Sequence, residues 1–600
     1  MFQTVFGKSC RRMTVRNLPD YERALVSWKA HDRTKRLWNR DATLWTGQDE
    51  ARWLGWLDVV KQQLEEVARL KQFATEVRAA GFERVLLLGM GGSSLGAEVL
   101  ASVFGHTADF PRLHILDSID PMEVHRFASE IDLVRTLFIV SSKSGTTLEV
   151  SLLTEFFLGK LKQKLEARNV GAHFAAVTDP DTSLQRLAEK EKFGWIFAGI
   201  PSIGGRFSVL SNFGLVPAAA IGLDVERLLL NASQMVEDCR GECPRNNPGV
   251  MLGLALGVAA KQRRDKVTLV TSPNLGRLEF WIEQLLAEST GKNGSGLVPV
   301  CGEPVGTPAD YGNDRLFCYL RNRIVPEPSL DEAVGQLETA GFPVVRIEVG
   351  NVYDLGREFF RWEFATAVAG SVLGVNPFDQ PDVEAAKVAT REFLAKPISR
   401  KPSFRSKLAG GLKLFNPPGD DLETGSSTMS VEALRTALRL HFEQLHPGDF
   451  FAVLAFVERN DVHEKLLQAM RIAVRDAFQV ATVAGFGPRY LHSTGQLFKG
   501  GSNEGVFLVI TSDETVDMQV PGMEHTFGAV KTAQAEGDFR TMAKRGRRLL
   551  RLHVGPNVTT GLGQLSSEIL MALKWLCAGK SQKQFPNGKE NYDNQMESCN

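Results

Sequence analysis

The chain has 600 residues, 43% of them hydrophobic, and its seventy basic residues balance seventy acidic ones. That length leaves room for about three or four cores, and the balanced charge gives no reason to expect nucleic acid or an acidic membrane surface as a partner. Seven cysteines, odd in number and without an N-terminal apolar signal segment, predict a reduced, cytoplasmic protein. No apolar stretch reaches the roughly 18 to 20 residues that would cross a bilayer.

In chain order, residues 1–80 are rich in Trp and charge, and "ARWLGWLDVVKQQLEEVARLKQF" has a helical apolar period, so this segment is expected to be helical. From residue 81 to 240, short apolar runs alternate with small-residue turns and helices: "RVLLLGMGGSSLGAEVLASVF", "RLHILDS", "TLFIVSSKSGTTLEV", "FAAVTDP". This alternation predicts a parallel sheet wrapped by helices. "CRGEC" at 239–243 lacks a nearby His or a second Cys pair, so Cys239 and Cys243 read as surface or interface thiols and not as zinc ligands. After "CPRNNPG" the pattern restarts with "DKVTLVTSPNLGRLEFWIEQLLAESTGKN", which predicts a second α/β domain over 241–400. The breaker-rich "FNPPGDDLETGSS" sits near the start of a third α/β segment, 401–577, with "DFFAVLAFV" and "EGVFLVIT" as buried strands. The polar tail 578–600 is expected to be disordered.

Two loops stand out. "GMGGSSLG" (89–96) and "SSKSGTTLE" (141–149) each follow an apolar strand and lead into a helix. Gly and Ser there let backbone N–H groups close around an anion at the positive end of the helix. The first loop reads G-x-G-x-x-S, one residue short of a dinucleotide fingerprint, and Asp117 resembles the acidic residue that holds a ribose. Ordinary tight βα turns use the same residues. The hydroxyl cluster Ser142, Ser144 and Thr147, with Lys143 adding charge, fits a monophosphate better than a nucleotide, and neither loop has the nucleoside triphosphate pattern. No His/Asp/Glu cluster has metal-ligand spacing: His441 and His446 in "HFEQLH" lie off a common helical face.

Together with "GGRFSVLSNFG" (204–214), "ESTGKN" (288–293) and "GVNPFDQPDVEAAK" (374–387), these loops resemble phosphoglucose isomerase, a member of the sugar isomerase (SIS) fold group. Residues 400–577 look like the isomerase half of transaldolase/phosphoglucose isomerase fusion proteins. The resemblance implies two doubly wound SIS domains, here with a helical N-terminal segment and a third α/β segment. It implies reversible interconversion of glucose 6-phosphate and fructose 6-phosphate through a cis-enediolate, with no cofactor and no metal, in a homodimer. Residue by residue, it makes Glu288 the base that moves a proton between C2 and C1, and Arg206 the cation beside the enediolate. Gly92, Ser93, Ser142, Lys143, Ser144 and Thr147 would hold the phosphate, Gly205 and Gln284 would line the sugar, and Lys387 would assist ring opening.

The chain departs from the family pattern at one point. The ring-opening histidine is expected between Glu288 and Lys387, but residues 289–386 contain none. Its motif occurs instead at "YLHSTGQLFKGG" (490–501), which makes His492 the candidate and predicts that the third segment folds back beside Lys387. Two other readings stand beside the isomerase: a dual phosphoglucose/phosphomannose isomerase, since mannose 6-phosphate shares the enediol, and a non-catalytic SIS regulator. The regulator would call for a basic helix-turn-helix segment, which neither end of the chain displays.

Overall fold

The structure, a computed structural model, describes residues 13–166, 169–394, 404–408, 412–415 and 428–583. The described part of the segment before residue 80 folds mainly into helices, among them Tyr21–Ala30 and Val67–Ala79, but it also contains strand β1 (Met13–Arg16) and so is not purely helical. Strands β2 (Arg84–Gly89), β3 (Arg112–Leu116), β4 (Thr136–Ser141), β5 (Phe174–Thr178) and β6 (Trp195–Ala198) form the first sheet, all parallel, in the order β3-β2-β4-β5-β6. The apolar runs of the central strands β2, β4 and β5 have a physical reason: both faces are covered. Val85 and Leu87 enter one core while Leu86 and Leu88 enter another.

From β2 the chain steps outward to β3 and then returns past β2 to β4, so the strand order reverses between β2 and β4. In open parallel sheets the crevice at the carboxyl ends of such a pair is where ligands bind. Gly89 pairs with Ser141 across this boundary, so the two anion-type loops leave the sheet side by side.

The second sheet contains β7 (Lys266–Thr271), β8 (Val298–Val300), β9 (Arg315–Asn322) and β10 (Val344–Val349), in the order β1-β10-β9-β7-β8. Only β1 is antiparallel, closing the edge beside β10. The third sheet contains β11 (Phe404–Leu408), β12 (Lys413–Phe415), β13 (Thr428–Met429), β14 (Phe450–Phe456), β15 (Ala481–Phe486), β16 (Gly505–Thr511) and β17 (Arg548–His553). Its order is β13-β11-β12-β17-β16-β14-β15, a parallel centre (β14 to β17) extended by short strands at one edge.

Two sequence expectations change. Helix Val558–Lys583 continues through residue 583, so the expected disordered tail cannot begin at 578; residues 584–600 lie outside the described residues. Cys239 is a core thiol packed in the first hydrophobic cluster, and burial pushes its pKa up to about 12; Cys243 is exposed. Most of the breaker-rich stretch, residues 416–427, also lies outside the described residues. No helix among the described residues is long and apolar enough to cross a membrane.

The connection after β3 carries a buried acid. Glu123, on helix Pro121–Glu130, is pushed up to about 8 by burial and by the neighbouring carboxylates Asp117 and Asp120, against the pull of Arg459 and Arg126. Its folded pKa lies above the unfolded value of about 4.3, so the stability it contributes is complete below that value and is lost as pH rises towards the folded pKa. Glu123→Gln should therefore gain on wild type by about 2–4 kcal/mol between roughly pH 5 and pH 8. Unfolding midpoints of both proteins at the two pH values check this; a pH-independent difference would contradict it.

Candidate active site

Both loops bend back at a glycine. Gly91 and Gly145 have φ of 54° and 65°, a region that disfavours side chains. A Cβ on Gly91 would stand 2.5 Å from the His492 carbonyl oxygen, and one on Gly92 would overlap the Gly205 carbonyl oxygen. These close approaches bring the first loop against both the "GGRF" turn and the His492 turn. In the second loop Ser142 Oγ lies 3.0 Å from Thr147 Oγ1, directly before helix Leu148–Lys164, whose first N–H groups face the loop. Ser93 and Ser142 are buried, whereas Ser144 is exposed and bonds to Thr146.

Lys143 is the exception among the loop residues. Its ammonium bonds to the Asp179 carboxylate and to the Ile200 carbonyl oxygen, so its charge is already neutralised and turned towards β5 and β6. The expectation that it adds free positive charge to the loop is corrected accordingly.

Gln284 and Glu288 sit four residues apart on helix Leu278–Thr290 and share one face. Gln284 Nε2 donates to Glu288 Oε2 (3.1 Å) and to the His492 carbonyl oxygen (2.8 Å). Glu288 Oε1 lies 3.2 Å from Arg206 Nη1. The Arg206 guanidinium is buried and tightly held: Nε donates to Ser289 Oγ (2.7 Å), Nη1 to Gln380 Oε1 (2.9 Å), and Nη2 to the carbonyl oxygens of Pro377 (2.7 Å) and Asp379 (2.9 Å). Burial lowers its pKa while Glu288 and Asp379 raise it, and a guanidinium stays charged in proteins. It is a fixed positive charge beside Glu288, not a mobile donor. Lys292 also clasps the 376–380 turn through Asn376 and Asp379; burial, and then Arg206, bring its pKa down to about 7.

His492, from the third unit, folds back against the first two. His492 ends the short turn Arg489–His492 after β15, and its Nε2 lies 2.8 Å from Glu149 Oε1. Glu149 is buried in the first turn of the helix that follows the second loop. Burial raises its pKa, but His492, together with a 2.6 Å hydrogen bond from Gln534, brings it down to about 2. A carboxylate on one ring nitrogen fixes the imidazole's orientation and tautomer. Sequence reasoning misses Glu149 although it lies within "SSKSGTTLE"; the available signal is a carboxylate in the first turn of the helix that follows the hydroxyl loop. Gln534, Gln380 and Lys292 carry no comparable signal.

Glu288, Arg206, Gln284, His492 and Glu149 thus form one bonded cluster within a single chain. Gly205 lies at its edge, against Gly92. Lys387 is exposed on helix Pro381–Leu394, which packs on the short helix Gly495–Gly500 just after His492.

A family model described as phosphoglucose isomerase matches residues 51–298. A protein named probable glucose-6-phosphate isomerase from Methanococcus maripaludis is 30% identical over 381 residues, 57% of this chain and 84% of that one. A glucose-6-phosphate isomerase from Rubrobacter xylanophilus is 33% identical over 373 residues, 54% of this chain and 86% of that one. Among solved structures, a hypothetical protein from Thermus thermophilus superposes with a TM-score of 0.57 at 27% identity, covering 64% of this chain and all of that one. With 84% and 86% of these two named relatives covered at 30% identity or more, the chain belongs to the phosphoglucose isomerase family.

Proposed function

We propose that the chain interconverts glucose 6-phosphate and fructose 6-phosphate by ring opening followed by proton transfer. Aldose–ketose isomerisation needs one carboxylate that takes a proton from one carbon and returns it to the next, and a fixed positive charge for the enediolate between them. The observation that carries the reading is Glu288, paired with Arg206 and joined through Gln284 to His492, beside two hydroxyl-lined loops at the strand-order reversal. In this reading Ser93, Ser142, Ser144 and Thr147, with the backbone of Gly92 and Lys143, hold the phosphate. Gly205 and Gln284 line the sugar. His492, oriented by Glu149, moves the ring proton, and Lys387 assists from the adjoining helix. Glu288 then removes the C2 proton of the aldose and delivers it to C1, with Arg206 balancing the oxyanion charge.

All five members of the central cluster belong to one chain, so a homodimer, which the family resemblance implies, is not needed to complete it. Mixing Glu288→Gln chains with His492→Ala chains should therefore restore no activity; recovery towards a quarter or more of wild-type turnover would mean that sites are shared between subunits. The phosphate assignment is tested by Ser142→Ala and Thr147→Val. Each loses a hydroxyl within 3.0 Å of the other, so fructose 6-phosphate should bind about 5- to 20-fold more weakly, while unphosphorylated fructose is unaffected. Equal loss for both ligands would put the phosphate elsewhere.

A further inference from the structure

The three α/β units meet at one carboxylate. Glu98, on helix Leu95–Phe104 after the first loop, accepts hydrogen bonds from Arg489 and from Arg459 Nη2 (2.9 Å), and Arg277 Nε lies 3.6 Å away. Each arginine comes from a different functional segment. Arg277 directly precedes the helix of Gln284 and Glu288, Arg459 follows β14, and Arg489 opens the turn that ends in His492. Burial opposes ionisation of Glu98, but the three guanidinium groups hold its carboxyl well below the usual range.

Arg489 does more than join this cluster. Its second terminal nitrogen bonds to the buried Asp117 at the end of β3, and the same Asp117 oxygen lies 3.3 Å from Ser94 Oγ, the residue that starts helix Leu95–Phe104. Asp117, which in the sequence resembles a ribose-binding acid, therefore has a partner from the third unit. One planar guanidinium bridges two carboxylates of the first unit, a geometry that a lysine ammonium cannot reproduce in full.

We propose that Arg489 is the positioning residue for His492: by bridging Glu98 and Asp117 it fixes the Arg489–His492 turn of the third unit against the phosphate loop of the first. The physical need is specific. A sugar anchored by its phosphate at the first unit presents its ring oxygen at a set distance, whereas His492 is carried by a unit that reaches the site from the far end of the chain. The bond from His492 to Glu149 aligns the imidazole only if the turn already sits in register. This proposal rests on the reading of His492 as the ring-opening group.

The surroundings allow a direct test. A cavity of about 440 Å³ is lined by Arg277, Arg459 and Arg489, so truncating Arg489 leaves a guanidinium-sized space that solutes can reach. The full-length variants Arg489→Ala, Arg489→Lys and Asp117→Asn are assayed with glucose 6-phosphate and with an aldose phosphate lacking the ring-forming hydroxyl. For Arg489→Ala, kcat on the cyclic sugar should fall by up to about 10²-fold with little change in KM, and the open-chain substrate should lose several-fold less. Low, non-denaturing guanidinium chloride should recover part of the loss. Arg489→Lys and Asp117→Asn should show smaller losses with the same preference, which keeps the test valid if Arg489→Ala folds poorly. In a His492→Ala background, Arg489→Ala should add nothing for the cyclic sugar. Equal losses on both substrates, or additivity with His492→Ala, would overturn the proposal. Failure of the isomerase reading itself would appear instead as no turnover of glucose 6-phosphate by the unsubstituted protein.

Discussion

Glu288→Gln is expected to bind fructose 6-phosphate normally and to lose at least about 10²-fold in turnover, the usual contribution of a general base. Gln preserves the shape of the side chain and can still accept from Gln284 Nε2, so the helix face and the His492 carbonyl contact should survive. What disappears is the proton acceptor, and with it the charge that faces Arg206 across 3.2 Å. Arg206 keeps its bonds to Ser289, Gln380, Pro377 and Asp379, so a collapse of the site is not expected. The loss should therefore fall on kcat, not on KM. Binding of fructose 6-phosphate by calorimetry and solvent-deuterium incorporation at C1 and C2 separate the two effects. Exchange at the wild-type rate would move the base to another residue.

His492→Ala is expected to cost on the order of 10² to 10⁴ with the cyclic sugar and much less with an aldose phosphate that cannot close. The difference follows from the order of events: an imidazole that serves the ring oxygen has finished before the C2 proton is removed. Imidazole suits that step because one ring nitrogen can give and recover a proton while the other stays on Glu149. Glu149→Gln should reproduce the pattern more weakly, because an amide can still meet Nε2 but no longer supplies the negative charge. Equal loss on both substrates would place His492 in the proton transfer between carbons or make it a support for the fold.

The first sheet is plainly legible in the sequence. Its central strands β2, β4 and β5 are buried on both faces, so they read as apolar runs, and each loop's glycines and hydroxyls mark the strand end that it follows. The pairing of Gly89 with Ser141, which makes two separate loops into one crevice, depends on strand order and cannot be read from either loop alone. Family motifs identify Glu288, Arg206 and His492, and the fold brings them together although His492 lies more than two hundred residues after Glu288. Less is legible where a charged side chain chooses a partner. Lys143 reads as an anion-binding cation until Asp179 is seen to hold it. Glu149 is hidden because a glutamate at a helix start usually serves the helix dipole in solvent. Here the third unit covers it and turns it into a buried partner for His492. Strand β1 gives no usable signal because four residues carry too short a pattern to declare a strand.

One carboxylate in this chain, Glu288, is expected to carry a proton between adjacent carbons of a phosphorylated sugar. Turnover of fructose 6-phosphate by the purified protein in deuterium oxide with EDTA, followed by proton NMR, tests it most directly. The account predicts glucose 6-phosphate formed with deuterium at C2, and a reaction slower by at least about 10²-fold in Glu288→Gln. No turnover, or conversion with complete retention of hydrogen and no dependence on Glu288, would contradict it.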